Sequence, residues 1–330
     1  MKTNLLKFGV IGVGHLGQHH VRHYCDLDDV DFVGFYDSDK QRAKKIAQRF
    51  KTKSYESLEK LLLRVDAVSI VSPTIYHYKI AEKCIIQKKH VFIEKPITST
   101  IEEADRLIKL ARERNTVIQV GHIERLNPAL IALNKYLLKP AYIEIQRLSP
   151  YNIRGTDVPV VLDKMIHDID IALFLAKSNL ENISASGLSI LTDSIDIANA
   201  RIEFKNGCVA NITSSRVAKD EIRKIKIFQK NLYATVDLYK GITEVYSINS
   251  IDSVKDKSLV NVPFDYRGNK KLIHYDKPNV IIKDALKLEL INFAQSIKGF
   301  EKPIVDGVEG REALKIAIVI QNKITKKLNK

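Results

Sequence analysis

The sequence predicts an α/β protein: a doubly wound parallel sheet of the Rossmann type first, then an α+β part with an open antiparallel sheet. Three observations predict it. Near-continuous apolar runs alternate with amphipathic stretches up to about residue 140. The string Gly12-Val13-Gly14-His15-Leu16-Gly17 closes the first of those runs. From about 141 to 275 the pattern changes to Ile/Val-rich runs with polar alternation. Apolar strands separated by helices belong to a parallel sheet covered on both faces, whereas alternation belongs to strands with one wet face.

The first strand is Phe8–Ile11 and ends at Gly12, where a helix is expected to start. The first glycine permits the tight turn, the second lets the backbone approach a pyrophosphate, and the third lets helix and strand pack closely. The second run, Val30–Tyr36, carries Asp37 at its carboxyl end. An acidic residue there accepts hydrogen bonds from the adenosine ribose and repels a 2′-phosphate, which favours NAD over NADP. The competing reading is that Asp37 and Asp39 cap the helix beginning near Lys40. Further strands are expected at 66–71, 90–93 and 116–120, with helices around 41–50, 77–88 and 101–114.

In the second part, Tyr142–Gln146, Ala198–Phe204 and Val209–Thr213 read as strands, and Asn206-Gly207 between the last two is a hairpin turn. One sheet face is left to carry substrate contacts or a dimer partner. Helices near 279–299 and 308–328 close the chain, the first expected to pack back on the nucleotide domain. The expected division is therefore 1–122 for an NAD-binding domain and 123–330 for a substrate and dimerisation domain.

The 330 residues suffice for two domains, and 45% hydrophobic with 28% charged residues describes an ordinary globular chain. No apolar run approaches the roughly 20 residues that span a bilayer, and the first apolar run is the glycine-turn strand rather than a signal peptide. Three cysteines, Cys25, Cys84 and Cys208, have no metal-like spacing; each reads as a buried small hydrophobe in a reducing cytoplasm. The net charge of +14 is spread along the chain without interleaved aromatics. That argues against nucleic-acid and membrane binding and stays compatible with an anionic small molecule. His15, His19, His20 and His23 lie on the first helix without converging carboxylates or cysteines, so no metal is expected.

Three clusters carry candidate chemistry. Ser72-Pro73-Thr74, with His77 three residues on, follows the 66–71 run. Glu94-Lys95-Pro96 follows the 90–93 run, with Pro96 setting a tight turn that is a candidate for a cis bond. In an open α/β sheet the ligand crevice lies at these carboxyl ends. The third cluster, Asp163-Lys164-Met165-Ile166-His167-Asp168, opens a helix, which places Asp163 and His167 on one face.

The glycine fingerprint, Glu94-Lys95-Pro96 and the Asp163…His167 pair together resemble the glucose–fructose oxidoreductase, inositol dehydrogenase and rhizopine catabolism (Gfo/Idh/MocA) family of NAD(P)-dependent oxidoreductases. The resemblance runs over essentially the whole chain, through Gly299–Gly307 before the last helix. Gly121-His122-Ile123-Glu124-Arg125-Leu126-Asn127-Pro128 and Met165–Asp170 resemble the branch that contains UDP-N-acetylglucosamine 3-dehydrogenases. The chain departs from that branch at Leu126, where an aromatic is usual, and at Lys164, where an apolar residue is usual; Lys164 is expected to turn to solvent.

The resemblance implies NAD-dependent oxidation of a secondary hydroxyl, with the family's lysine at Lys95 and its histidine at His167. A histidine suits removal of the hydroxyl proton, and a lysine polarises the same oxygen or serves as the base itself. Asp163 orients the ring or holds a sugar hydroxyl. His77 reads as structural or cofactor-adjacent. Arg125, Asn127, Tyr151 and Arg154 are candidates for the sugar or diphosphate, arginine for its bidentate geometry. In that branch the 3-keto nucleotide sugar passes to an aminotransferase for amino-sugar lipid A, and the chain is expected to be a homo-oligomer. The alternatives are a free-sugar or inositol dehydrogenase of the same family and a non-catalytic NAD-sensing regulator.

Overall fold

The computed structural model describes residues 5–152, 158–250, 261–266 and 268–328. The chain divides into two units, Met1–Ile123 with Asp284–Lys315 and Glu124–Lys283 with Ile316–Lys330.

In the first unit β1 (Leu6–Ile11) leads to α1 (Gly17–Cys25), β2 (Val30–Tyr36), α2 (Lys40–Phe50), β3 (Ser54–Tyr55) and α3 (Leu58–Leu62). Then come β4 (Ala67–Ile70), α4 (His77–Ile86), β5 (His90–Glu94), α5 (Ile101–Arg114) and β6 (Ile118–Gly121). The strands form one parallel sheet in the order β3-β2-β1-β4-β5-β6. The order reverses between β1 and β4, which opens a ligand crevice at the carboxyl ends of those strands. The predicted helices and the longer strands are present. The short β3 and α3 have too few residues to show a periodicity and were not expected.

The second unit begins with α6 (Pro128–Ile131) and β7 (Tyr142–Leu148). A π-helical turn, Val161–Met165, runs directly into α7 (Ile166–Ala176). There follow β8 (Leu180–Leu188), β9 (Ile197–Phe204), β10 (Val209–Ser215), β11 (Ile222–Gln229) and β12 (Leu232–Asp237). The sheet is completed by β13 (Ile242–Ser250), β14 (Asn261–Tyr266) and β15 (Asn269–Asp276). Its order is β14-β15-β13-β12-β11-β7-β10-β9-β8. The β9–β10 hairpin forms as expected, with Gly207 at φ 82° in its turn.

The sheet is not wholly antiparallel, because β7 and β10 pair in parallel. The chain reaches β10 from β7 only after crossing through α7, and a crossover is what parallel neighbours require. Ile143, Ile145 and Arg147 of β7 are buried on one face. On the other, a row of rings crosses five strands: Tyr142, Phe228, Tyr233, Tyr246 and Tyr275, with successive centroids 5.7, 4.8, 5.7 and 5.0 Å apart.

Two helices close the chain, α8 (Ala285–Ile297) and α9 (Gly307–Leu328). Leu286, Leu290 and Phe293 of α8 join Phe8, Val10, Tyr24, Phe35 and Phe92 in one buried cluster of the first unit. Phe293 meets Phe8 and Phe92 with both centroid separations 5.8 Å, in the edge-to-face geometry that aromatic quadrupoles favour. Each such side chain contributes about 1.5–3 kcal/mol by leaving water. The segment before α9 covers the edge of β6, where the Val120 amide donates to Val305 O at 2.9 Å. No described helix is long and apolar enough to cross a membrane.

Candidate active site

The three glycines of the turn differ in what surrounds them. Gly12 sits at φ +86°, and a Cβ there would come 2.8 Å from Val71 O. At Gly17 a Cβ would come 2.0 Å from Gly12 O, so only glycine lets α1 start this close to the strand end. A Cβ on Gly14 would meet nothing within 4 Å, because this residue faces open space. That space is a cleft of about 740 Å³, lined among others by Gly12, Gly14, Asp37, Ser72 and Pro73. His15 and Leu16 are exposed at the turn between the glycines, and Thr74 starts the short helical turn that leads to α4.

Asp37 is buried just past β2, and its carboxylate is fixed from two sides. Oδ2 accepts from the Val13 amide at 2.7 Å and Oδ1 from the Asp39 amide at 2.8 Å. Arg42 Nη1 lies 3.4 Å from both oxygens. The capping role belongs to Asp39 alone, whose Oδ1 accepts the Arg42 amide at 2.9 Å. A carboxylate has about four acceptor positions, so Asp37 keeps capacity for ribose hydroxyls. Across the cleft, Ser72 Oγ is buried without a partner among the described residues. Open space at Gly14, a fixed carboxylate and an orphan hydroxyl fit a dinucleotide.

Glu94 ends β5, and the Lys95–Pro96 bond is cis. Lys95 is half-buried within a stretch, 91–98, whose other residues are all buried. His77, at the start of α4 and 1% exposed, places Nδ1 2.9 Å from Pro96 O and Nε2 2.8 Å from Ser72 O. Burial lowers its pKa, against the two carbonyls, which favour the charged ring. The Glu94 carboxylate meets His20 Nε2 of α1 at 3.0 Å.

In the second unit Asp163 lies in the π-helical turn and His167 in the first turn of α7; both are partly exposed, His167 between buried Ile166 and Asp168. The expected single helix over these residues is therefore two kinds of turn, and such π-turns recur at functional sites. Behind them Arg147 of β7 binds Asp168 through Nε at 3.0 Å and Nη2 at 2.8 Å, and Glu124 through Nη1 at 2.7 Å. Burial raises the Glu124 pKa, but Arg147 outweighs it and holds the carboxyl below its usual range. The chain leading into the π-turn is clamped by buried Arg216, whose Nη2 donates to Val158 O at 2.5 Å and Ile195 O at 3.0 Å.

Residues 6–122 match the model of the oxidoreductase family with an NAD-binding Rossmann fold, and residues 147–231 match the GFO/IDH/MocA C-terminal domain. The chain belongs to this family. It is 34% identical over 322 residues to UDP-N-acetylglucosamine 3-dehydrogenase of Acidithiobacillus ferrooxidans, covering 96% of both chains. A solved structure of that enzyme matches with a TM-score of 0.87 over 98% of each chain. Myo-inositol 2-dehydrogenase of Thermotoga maritima is 25% identical over 342 residues, covering 98% of this chain and 97% of its own. The protein is thus an NAD-dependent oxidoreductase of the kind that acts on CH–OH groups.

Within this family frame, several predicted residues have internal partners. Arg125 is 7% exposed and bidentate to Asp170, Nε to Oδ2 at 2.8 Å and Nη2 to Oδ1 at 2.7 Å. Asn127 caps α6 by accepting the Ala129 amide at 3.1 Å, while its Nδ2 donates to Glu124 Oε2 and Leu238 O, each at 3.2 Å. Tyr151 is exposed; Arg154 lies outside the described residues.

Two expectations are corrected. Lys164 does not turn fully to solvent: it is half-buried near Asp163, Glu221, Arg223 and Arg147, and burial lowers its pKa. Cys25 is exposed, because α1 ends there, whereas Cys84 and Cys208 are buried as expected and burial pushes their thiols up to about 12 and about 11. Sequence reasoning missed Arg147, Asp168 and Arg216 as supports of the Asp163–His167 segment. The only signal was an arginine on an otherwise buried strand face and an aspartate on a helix's buried side.

Proposed function

We propose that the chain oxidises a secondary hydroxyl of a nucleotide sugar, C3 of UDP-N-acetylglucosamine, with NAD as hydride acceptor. The observation that carries this reading is the 34% identity with UDP-N-acetylglucosamine 3-dehydrogenase across 96% of both chains. The Lys95, Asp163 and His167 set supplies the chemistry. When bound, the nicotinamide accepts the hydride. His167 takes the hydroxyl proton, Lys95 stabilises the negative charge developing on the oxygen, and Asp163 orients the histidine or a sugar hydroxyl. Gly12, Gly14, Asp37 and Ser72 hold the dinucleotide, and Arg125, Asn127, Tyr151 and Arg154 are the candidates for the sugar nucleotide.

The keto product suits an aminotransferase, in a cytoplasmic route to an amino sugar of lipid A. A coupled incubation tests this: protein, NAD, UDP-N-acetylglucosamine, glutamate and a sugar-nucleotide aminotransferase, with the nucleotide sugar analysed by mass spectrometry. A 3-amino product supports the reading, and recovery of unchanged substrate while inositol is oxidised replaces it with the inositol reading, to which the 25% identity lends weight.

The partner at the open sheet face is a second copy of the chain. The face pairs its charges internally, Lys226 with Glu144 at 3.2 Å and Arg201 with Glu203 at 3.0 Å, on a chain of net charge +14. Two such faces meet without the repulsion the rest of the surface imposes, and the aromatic row supplies apolar area. Tyr246→Glu is expected to shift the sedimenting species towards monomer; an unchanged species refutes this face as the interface.

A further inference from the structure

Lys95 is bracketed in the chain by two residues that buried histidines hold. On one side Glu94 Oε1 meets His20 Nε2 at 3.0 Å, and the imidazole is fully buried. The same carboxylate lies against β6, where a Cβ on Gly121 would come 2.8 Å from Oε2. On the other side Pro96 O meets His77 Nδ1 at 2.9 Å, and the far nitrogen of that ring reaches Ser72 O at 2.8 Å.

The sheet itself stops short of Lys95. The last register pair of β5 with β6 is Glu94 with Gly121, so the lysine's own backbone lies beyond the ladder. What holds its two chain neighbours therefore bears on where the root of the lysine sits. Both holders come from elements of the dinucleotide site: His20 from α1, the helix opened by the glycine turn, and His77 from α4, through the Ser72 wall of the cleft.

Packing alone does not account for these residues. Among the described residues His20 Nδ1 is buried without a partner, so the bond to Glu94 is the polar contact that offsets burial of the imidazole. An apolar side chain would fill the same space without that desolvation cost. At His77 both nitrogens lie within hydrogen-bond distance of carbonyls of two strand-end loops, and a neutral ring donates to one of them at a time.

We propose that His20 and His77 are positioning residues that fix Lys95 relative to the dinucleotide cleft, His20 through Glu94 and His77 through Pro96. The inference rests on Lys95 acting at the reacting hydroxyl. A lysine side chain is long and flexible, so the placement of its root decides whether the ammonium reaches the oxygen. Misplacement by about 1 Å is enough to cost on the order of 10²-fold in rate.

The test compares the full chain with His20→Leu, His20→Gln, His77→Phe, Glu94→Ala and Lys95→Ala. Three readouts are taken: kcat and KM with NAD and UDP-N-acetylglucosamine, NADH affinity by fluorescence, and the acetylation rate of Lys95 by acetic anhydride relative to the other lysines. His20→Leu and His77→Phe are expected to lower kcat at least about ten-fold with NADH affinity held within about three-fold. They are also expected to raise the relative acetylation of Lys95. His20→Gln, whose amide replaces the Nε2 donor, is expected to recover most of the loss.

An unchanged kcat in both apolar variants overturns the proposal, as does a glutamine variant no better than leucine. If the apolar variants do not fold, Glu94→Ala, which removes the acceptor for His20 Nε2, carries the test, and an unchanged acetylation rate at Lys95 overturns it. A Lys95→Ala enzyme of undiminished kcat removes Lys95 from the reaction, a failure of the functional reading; loss there with undiminished histidine variants is a failure of the positioning alone.

Discussion

Asp37 Oδ2 accepts the Val13 amide at 2.7 Å, which ties the carboxylate proposed to meet the ribose to the glycine turn proposed to receive the pyrophosphate. On that proposal one carboxylate both shapes the turn and discriminates between cofactors. Asp37→Ala removes both. Hydrogen bonds to a charged group are worth about 1.5–3 kcal/mol, so NAD affinity is expected to fall about ten-fold or more. Arg42 stays at the same rim, and discrimination against NADP is expected to relax. Fluorescence titration with NADH and NADPH measures both, and an unchanged preference contradicts the ribose role.

Lys95→Ala and His167→Ala are each expected to lower turnover at least about 10²-fold with little change in NADH affinity. Steady-state kinetics beside a binding titration separate the two effects. A variant with undiminished turnover excludes its residue from proton transfer or charge stabilisation.

The Glu124–Arg147–Asp168 cluster is buried beneath the Asp163–His167 segment, with side chains 10%, 7% and 1% exposed. Arg147→Met leaves buried Asp168 without its hydrogen-bonded guanidinium and Glu124 with the more exposed Arg223 at 3.5 Å. The expected loss is about 3–5 kcal/mol of stability, the usual cost of removing one partner from a buried ion pair. Urea unfolding checks it, and a loss under about 1 kcal/mol contradicts the account.

Acid titration has a specific expected target. Burial works against ionisation of Asp196, but hydrogen bonds from the Thr192 hydroxyl and the amides of Ile190, Leu191 and Thr192 outweigh it and lower the pKa to about 2. Because the folded value is depressed, the stabilisation is present above the unfolded value of about 4 and disappears as pH falls towards 2. Its size is on the order of 2 kcal/mol. Wild type and Asp196→Asn, compared in urea from pH 6 downwards, are expected to converge below about pH 4. A constant gap contradicts the assignment.

Much of this protein is legible in the local chemistry of its chain. The glycine string, the acidic residue after β2 and the Lys95–Pro96 strand end are short-range signals, each tied to one turn. Other features depend on partners far away in the chain. His20 and Glu94 are 74 positions apart, and nothing in either local sequence announces the pairing. Arg147 reads as one polar residue in an alternating strand until Asp168 arrives from α7. The π-turn at Val161–Met165 escapes notice because its residues carry the same apolar spacing as a helix start. The parallel β7–β10 pair escapes for another reason: strand direction is set by the crossover, which alternation does not encode.

The most direct test of the central claim is the reduced-nicotinamide absorbance after mixing the protein and NAD with UDP-N-acetylglucosamine, free sugars and inositols in parallel. A second set contains an aminotransferase and glutamate to withdraw a 3-keto product. The account predicts a rise with the nucleotide sugar, enlarged in the coupled set, and none with free sugars or inositols. A rise with inositol or a free sugar and silence with UDP-N-acetylglucosamine would contradict it.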